Sequence, residues 1–493
     1  MIRILTHIAY LCLALLIAAM VPVPTLGDYT AVTGTIIVIG VLGAWRYSWA
    51  LTNYVRAVLY MHVVYPIRRA NGRKRYEERN IPAHAYFMVT SYMVDPDVTT
   101  IVYQRMFHAA SLSRGGATIV ASVVDGADER LIKNIFRLCP EDLTNVRLVI
   151  DRIPANGKRD AMTKALKKLA KFLPTRRDIV IFVDGDTVVP EDIVEQSAPW
   201  FTNDKIGALT THEHAITDTD GLYSEWFDLR FRQRQVMMCS MGLARHVLTL
   251  TGRMSVFRAD LAVHPEFING IGYDTLDHWR LGRINFLTGD DKSTWYWLLK
   301  NGYEMLYLPD VVSESFEAQP RKTFFDSAQT LMVRWYGNMM RTNGRALRLS
   351  PKTIGFFTWW SIFDQRVSMW TTLVGPTSVL LTAFLFDVTI IPLYISWVML
   401  TRYVYVAMIS LFNNTWFDIT HPPLLYFGQI VGGMVKTFVL FRLDRQKWTR
   451  QGSGGGGKRD VPLHDRVKAA ESTVHHVLNY SWLVVIILAL SIL

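Results

Sequence analysis

Asp178-Ile-Val-Ile-Phe-Val-Asp-Gly-Asp186 ends a run of apolar, mostly β-branched residues in a tight Asp-Gly turn. Such a run reads as a strand buried on both faces, the pattern of a parallel sheet. In open α/β sheets, ligands bind beyond the carboxyl ends of the strands. Two carboxylates separated by one glycine at that edge suit a hard divalent cation, Mg²⁺ or Mn²⁺, which takes one or two carboxylates together with substrate phosphate oxygens. Asp-x-Asp also occurs in solvated turns, so the metal reading depends on what else the chain carries.

Outward from this motif, residues from about 83 to 350 alternate short β-rich runs with helical stretches. Strands are expected over 85–91, 118–124, 146–150, 179–183 and 248–256, and an amphipathic helix over 158–172. Strands alternating with helices predict a doubly wound, mostly parallel sheet.

The rest of the chain is apolar at both ends. Of 493 residues, 50% are hydrophobic, and residues 4–27 carry no charge. Spans are expected over 4–27 and 31–46, with a cleaved signal peptide as the other reading of the first. Residues 367–386 and 389–411 read as an out-and-back hairpin joined near Asp387, and 477–493 as a final span. Residues 424–441 precede a strongly basic segment and contain Gln429, Gly432, Gly433 and Lys436, which favours an interfacial or re-entrant helix. Five crossings with a cytoplasmic amino terminus result. The expected organisation is then 1–55, two membrane helices; 56–82, a basic juxtamembrane linker; and 83–350, a cytoplasmic α/β domain. It continues with 351–412, an interfacial helix and hairpin; 413–476, an interfacial or re-entrant helix and a glycine-rich segment; and 477–493, the last span.

The net charge of +11 raises nucleic acid as a partner. The cations Arg46, Arg56, Arg68, Arg69, Arg73, Lys74, Arg75 and Arg79 fall behind a span, where anionic lipid and the positive-inside rule explain them without nucleic acid. A polyanionic product would suit the remainder, and Arg366 and Arg402 inside the apolar regions are of the kind that marks a substrate path. Cys12, Cys139 and Cys239 lack metal-type spacing and read as reduced.

A second acidic cluster, Gly289-Asp290-Asp291-Lys292, opens a helix-like stretch. Paired carboxylates there serve as helix caps, or, where one carboxyl is raised by its neighbour, as a general base. Arg334-Trp335 offers a diphosphate bridge and a flat face for a sugar, or an interfacial anchor pair. Asp125 ends a strand, and Gly157-Lys158-Arg159 opens a helix where free N–H groups and cations meet phosphate. His212-Glu213-His214 lacks the spacing of a zinc helix. Asp274, Asp277 and His278 read as a solvated loop, and Arg230, Arg232 and Arg234 as a solvated helix face.

In this order the motifs closely resemble glycosyltransferase family 2, in particular its processive membrane-embedded synthases of cellulose, chitin and hyaluronan. Leu331 stands where the family's Gln-x-x-Arg-Trp has glutamine, and Gln329 is out of register. Trp448-Thr449-Arg450 resembles the family's gating loop. Longer phrases, among them Phe286-Leu-Thr-Gly-Asp-Asp-Lys-Ser and Val333-Arg-Trp-Tyr-Gly-Asn, resemble the mannuronan synthases, the catalytic subunits of bacterial alginate polymerase, which share leucine at that position.

The resemblance implies a GT-A-like domain between transmembrane helices in the bacterial inner membrane, making β-1,4-mannuronan from GDP-mannuronic acid. It implies a cyclic-di-GMP-binding membrane partner and periplasmic export or modification proteins, with no nucleic acid. The roles implied are metal for Asp184 and Asp186, catalysis for Asp291 with Asp290, and donor binding for Asp125, Gly157, Lys158, Arg159, Arg334, Trp448, Thr449 and Arg450. Acceptor binding falls to Trp335 and Arg253. The alternatives are a UDP-sugar synthase and a non-catalytic nucleotide-binding transporter or scaffold.

Overall fold

In the computed structural model, residues 2–20, 30–446 and 463–492 are described. The Trp448-Thr449-Arg450 element and the glycine-rich segment after it lie outside the described residues. The apolar runs form strands β1 (Ala85–Thr90), β2 (Ala117–Val123), β3 (Val146–Arg152) and β4 (Ile179–Asp184). β1, β2 and β4 are buried almost throughout, as runs of that composition demand. Further strands are β5 (Thr187–Val188), β6 (Ile206–Thr217), β7 (Met254–Arg258), the hairpin β8 (Thr275–His278) and β9 (Gly282–Asn285), and β10 (Glu304–Glu317). Eight of them make one sheet in the order β3-β2-β1-β4-β7-β6-β10-β5. Pairing is parallel except where β7 runs between β4 and β6 and where β5 closes on β10. The mostly parallel sheet expected from the sequence is therefore present, with two strands reversed.

The sequence reading missed β6 and β10. β10 contains Pro309, which cannot donate to a ladder, and its register against β6 shifts between Leu308 and Val312 to pass it. β7 begins later than the expected 248–256, because Thr251 Oγ1 accepts the N–H groups of Arg253 and Met254 and holds a turn there. The amphipathic run yields the helix Lys158–Ala170, as expected.

Most of the stretch 56–82, expected as a linker, is helical, and the helix ends at Arg79. Thr30–Leu59 continues through one π turn, Tyr60–Val64, into Tyr65–Arg79. Tyr60 is buried and donates to Tyr307 O at 2.7 Å, while Tyr65 stacks on Trp200. Several of the cations assigned to lipid are used by the domain. Arg68 donates to Gly242 O, Arg69 pairs with Asp310, and Arg79 donates to Thr202 O.

Five described helices are long and apolar enough to cross a membrane by length and composition: Arg3–Met20, Phe356–Leu385, Ile390–Phe412, His421–Leu440 and Leu463–Leu490. His421–Leu440 is continuous. Its polar residues turn to neighbouring helices, Gln429 to Arg402 and Lys436 to Ser368. Gly432 and Gly433 admit close approach of Tyr336 and of the Met369 carbonyl, the use of small residues at helix contacts. No disulfide joins Cys12, Cys139 and Cys239.

Candidate functional site

The Asp184-Gly185-Asp186 turn is fastened to three neighbours. β1 and β4 are in parallel register with Thr90 beside Asp184, and the Gly185 N–H donates to Thr90 O at 3.0 Å. The Asp184 N–H donates to Arg253 O at 2.9 Å, and the Phe316 N–H to Asp186 O at 3.0 Å. A Cβ at Gly185 would lie 2.8 Å from Ser91 Cβ and 2.9 Å from Ser91 Cα. Glycine is required here by space, since only the smallest residue lets the turn sit against the end of β1.

Gly157, with φ of 109°, ends the preceding loop and starts the Lys158–Ala170 helix. Lys158 Nζ lies 2.6 Å from Asp184 Oδ1 and 3.2 Å from Asp290 Oδ2, and donates to Gly252 O at 3.2 Å. One ammonium thus joins the two acidic motifs. Gly289, left-handed at φ 80° and pressed against Asn338, turns the chain into the helix Asp290–Lys300, which the acidic pair opens. Lys158, Asp184, Asp290 and Asp291 line one small cleft, and Thr249 Oγ1 is 3.5 Å from Asp291 Oδ2.

The two acids of the pair differ. Burial and the neighbouring Asp290 charge push the Asp291 carboxyl up. Burial acts the same way on Asp290, but Lys158 and Arg159 overcome it and hold that carboxyl low. Two carboxyls with separated proton affinities divide labour in acid–base chemistry: the low one stays charged and the raised one takes a proton. Burial also pushes Asp184 up to about 7 against the pull of Lys158. It brings Lys292, which donates to Leu248 O at 2.6 Å, down to about 8.

Among the described residues no group of three or more His, Cys, Asp or Glu is arranged to hold a metal ion. His212-Glu213-His214 is no exception, since its side chains alternate along β6 and His212 contacts Tyr307 OH. The donor set at Asp184 and Asp186 is two carboxylates, of which Asp184 lines the cleft, too few for a closed structural site. It fits a hard cation that completes its shell with substrate phosphate oxygens.

Other residues singled out in the sequence are placed as follows. Arg159, expected at the donor, is buried and donates to Ile271 O, Thr288 O and Ser293 Oγ, so it braces the acidic loop. Asp125 caps the helix Gly126–Arg137 by accepting the Ala127 N–H at 2.9 Å, exposed at the end of β2. The Arg253 guanidinium, expected at the acceptor, is held between Glu317 and the fully buried Glu213, which Arg234 also approaches at 3.4 Å. With its carbonyl on the Asp184 N–H, Arg253 props the Asp184-Gly185-Asp186 turn from behind. Asp274 pairs with Arg345 at 2.6 Å and is mostly buried, not solvated. Leu331 is buried in apolar surroundings and Gln329 is exposed, so no polar contact replaces the family glutamine at this position.

Arg334 and Trp335 face different ways. Arg334 is buried among charges that include Glu317, Asp291 and Asp184; burial lowers its proton affinity and those carboxylates raise it. Trp335 stacks on Trp226 with centroids 5.8 Å apart. Arg230 lies over both rings, at 4.5 and 4.9 Å. The helix Leu222–Leu243 therefore does not carry a solvated arginine face: Arg230 and Arg234, one turn apart, point inward, and Arg232, on the opposite side, bonds Asp228, Thr415 and Trp416. Glu317 and Thr249 beside the cleft were not singled out in the sequence, and Glu213 and Arg230 were read there in other roles. The alternation of Glu213 with two histidines on a strand was the one local signal.

Residues 82–338 match the glycosyltransferase-like family 2 description. The chain belongs to glycosyltransferase family 2. It is 40% identical over 444 residues to the glycosyltransferase alg8 of Pseudomonas syringae pv. tomato, a match covering 90% of this chain and 89% of that one. To the glycosyltransferase alg8 of Azotobacter vinelandii it is 41% identical over 418 residues, 84% of each chain. Among solved structures, the mannosyltransferase PcManGT from Pyrobaculum calidifontis, in complex with GDP-Man and Mn²⁺, superposes with a TM-score of 0.51 at 16% identity. That likeness covers 82% of this chain and 98% of the other, and it is one of fold. This family 2 glycosyltransferase thus carries a GT-A-like domain joined to apolar helices of membrane-spanning length.

Proposed function

We propose that this glycosyltransferase polymerises GDP-mannuronic acid into β-1,4-mannuronan, the alginate precursor, at the bacterial inner membrane, and passes the growing chain between its apolar helices. The reading rests on the alg8 relatives and on one structural observation: Asp184, Lys158, Asp290 and Asp291 converge on a single cleft, with Arg334 reaching toward them and Trp335 leading away.

Asp184 and Asp186 would hold Mg²⁺ or Mn²⁺, which neutralises charge on the departing diphosphate. Lys158 holds Asp184 and Asp290 close and helps keep Asp290 ionised, and Arg334 adds positive charge for the diphosphate. The acceptor hydroxyl attacks the donor anomeric carbon from the face opposite GDP, forming the new C–O bond as the bond to diphosphate breaks. Asp291, with its raised proton affinity, receives the hydroxyl proton. Trp335 offers its ring to the terminal sugar of the acceptor. Asp125 at the β2 edge and the Gly157 turn flank the donor's nucleotide end, and Trp448-Thr449-Arg450 takes the gating role that its resemblance to the family's loop implies. In this reading 83–350 is cytoplasmic, and a cyclic-di-GMP-binding membrane partner and periplasmic export or modification proteins complete the system.

The test is the full chain with its membrane partner in nanodiscs, given GDP-mannuronic acid and Mg²⁺ or Mn²⁺, read as GDP release and as polymer by mass spectrometry. Both products are expected, and both are lost in Asp291→Asn. Polymer from a UDP-sugar in place of GDP-mannuronic acid, or full turnover in Asp291→Asn, would refute the proposal.

A further inference from the structure

Sheet pairing stops short of the acidic pair. In the β8–β9 hairpin Asn285 pairs with Thr275, and the Phe286 N–H still reaches Asp274 O at 2.9 Å. From there to the helix Asp290–Lys300 the chain crosses Leu287, Thr288 and the left-handed Gly289 outside any strand or helix. Backbone N–H and C=O groups withdrawn from water need partners, and here a distant segment supplies them. Gln446 Oε1 accepts the Leu287 N–H at 2.9 Å and the Thr288 N–H at 3.4 Å, while Gln446 Nε2 donates to Asn285 O at 2.9 Å. One side-chain amide thus continues the edge of β9 toward the acids. The opposite orientation of that amide would set its NH₂ against two N–H donors, so the bonding pattern fixes which atom is the oxygen.

Thr288 is buried and held on its other sides as well. Arg159 donates to its carbonyl at 2.9 Å, and Thr288 Oγ1 donates to Asn338 Oδ1 at 2.7 Å. Arg341 Nη2 donates to Thr288 Oγ1 at 3.2 Å and to Asn338 Oδ1 at 2.5 Å. Arg341 is itself buried, and its Nη1 donates to Leu443 O at 3.0 Å, so one guanidinium joins the loop to the segment that carries Gln446. Arg280 anchors that segment at its start, donating to Phe441 O at 2.6 Å. Arg334, Asn338 and Arg341 recur at intervals of four and three on the helix Phe324–Ala346 and share one face. The helix that directs Arg334 toward the cleft therefore also fixes the loop.

We propose that Gln446 and Arg341 are positioning residues for the transfer: together they hold the Leu287–Thr288 backbone that delivers Asp290 and Asp291 into the cleft. Neither lines the cleft. They act through the loop, whose freedom would pass by way of Gly289 directly into the acidic pair. A base works only within hydrogen-bond reach of the hydroxyl it deprotonates, and a displacement of about 1 Å costs on the order of a hundredfold in rate. The effect on rate rests on the proposed role of Asp291; the brace itself stands on the bonds to the loop.

The first test needs neither donor nor variant. In the full chain in nanodiscs, hydrogen exchange read by mass spectrometry should show the peptide over 285–289 protected, and rapid exchange there overturns the inference. Gln446→Met keeps the length of the side chain and removes its amide. It should speed exchange over 285–289 and leave β4 unchanged, lower kcat for GDP release at least about tenfold, and leave the donor KM within about twofold. A general loosening would raise exchange in β4 and the donor KM together, and that result counts against positioning. Arg341→Lys keeps the charge but cannot serve Leu443 O, Thr288 and Asn338 at once, so it should give the same pattern. The double variant should lose less than the product of the two losses, because both residues hold one loop. Wild-type kcat in Gln446→Met despite faster exchange, or fully multiplicative losses, would end the shared role. Full turnover in Asp291→Asn would remove the proposed base and leave the exchange result standing; an unprotected 285–289 with Asp291→Asn inactive would do the reverse.

Discussion

Replacing Gly185 by alanine tests whether the Asp184-Gly185-Asp186 turn is set by packing against β1. The new Cβ would stand 2.3 Å from Ser91 Oγ, 2.8 Å from its Cβ and 2.9 Å from its Cα. Rotating the hydroxyl relieves only the first contact. Carbon atoms rest at about 3.5–4.0 Å, so the turn must still back away from the β1 end by roughly half an ångström or more. The Gly185 N–H bond to Thr90 O and the Asp184 N–H bond to Arg253 O lie on the path of that movement. Overpacking of this kind costs about 1–3 kcal/mol. Displacing catalytic groups by about 1 Å costs on the order of a hundredfold in rate. Gly185→Ala should therefore fold with a modestly lower Tm and lose about two orders of magnitude in GDP release. Ser91→Gly, which removes both side-chain contacts but leaves Cα, should restore part of that rate in the double variant and none of it alone. Thermal unfolding in detergent and initial-rate GDP release measure the two effects. Near-wild-type rates in Gly185→Ala, or no recovery with Ser91→Gly, would refute steric control of the turn.

Lys158→Met removes the ammonium between Asp184 and Asp290; breaking a buried ion cluster from one side costs about 3–5 kcal/mol, so Tm should fall well below that of Gly185→Ala, with activity lost. Proton and metal compete at Asp184: its carboxyl is raised to about 7, so Mn²⁺ affinity measured by calorimetry should weaken as pH drops below that value. The same carboxyl in the unfolded chain titrates at about 3.9, so between about 4 and 7 the folded state holds a proton that the unfolded state has released. Its contribution to stability in metal-free protein should thus fall as pH rises through that window, and Mn²⁺ should oppose the loss; a Tm that rises over the same range without metal would contradict this. Arg253→Lys should lower both Tm and GDP release although charge is kept, because one ammonium does not reproduce the bonds to Glu317 and Glu213 together; wild-type values in that variant would remove Arg253 from the support of the turn.

Much of the cleft was legible because its chemistry is carried by contiguous residues. Asp184-Gly-Asp186 follows a strand whose apolar run is a local pattern, and Asp290-Asp291 opens a helix that the next residues continue. β6 and β10 were less visible, because Pro309 and charged residues interrupt the pattern by which strands are recognised, and only pairing with the rest of the sheet decides them. Helical periodicity separated Lys158–Ala170 from its surroundings, yet it said nothing of which cations on a helix face inward. Arg159 reads like a phosphate ligand beside Lys158 and is instead bound to carbonyls from two other segments.

By itself, then, the sequence determined the strand-end carboxylates, the order of the motifs and the apolar helices, since each depends on neighbours a few residues away. The tertiary structure alone decided that Lys158 bridges Asp184 to Asp290, that Arg253 supports the turn from behind, and that Arg341 joins Thr288 to Leu443. Those arrangements join residues from distant segments. Their physical cause is the need to give each buried charge a partner, and no local pattern states which partner the fold will bring.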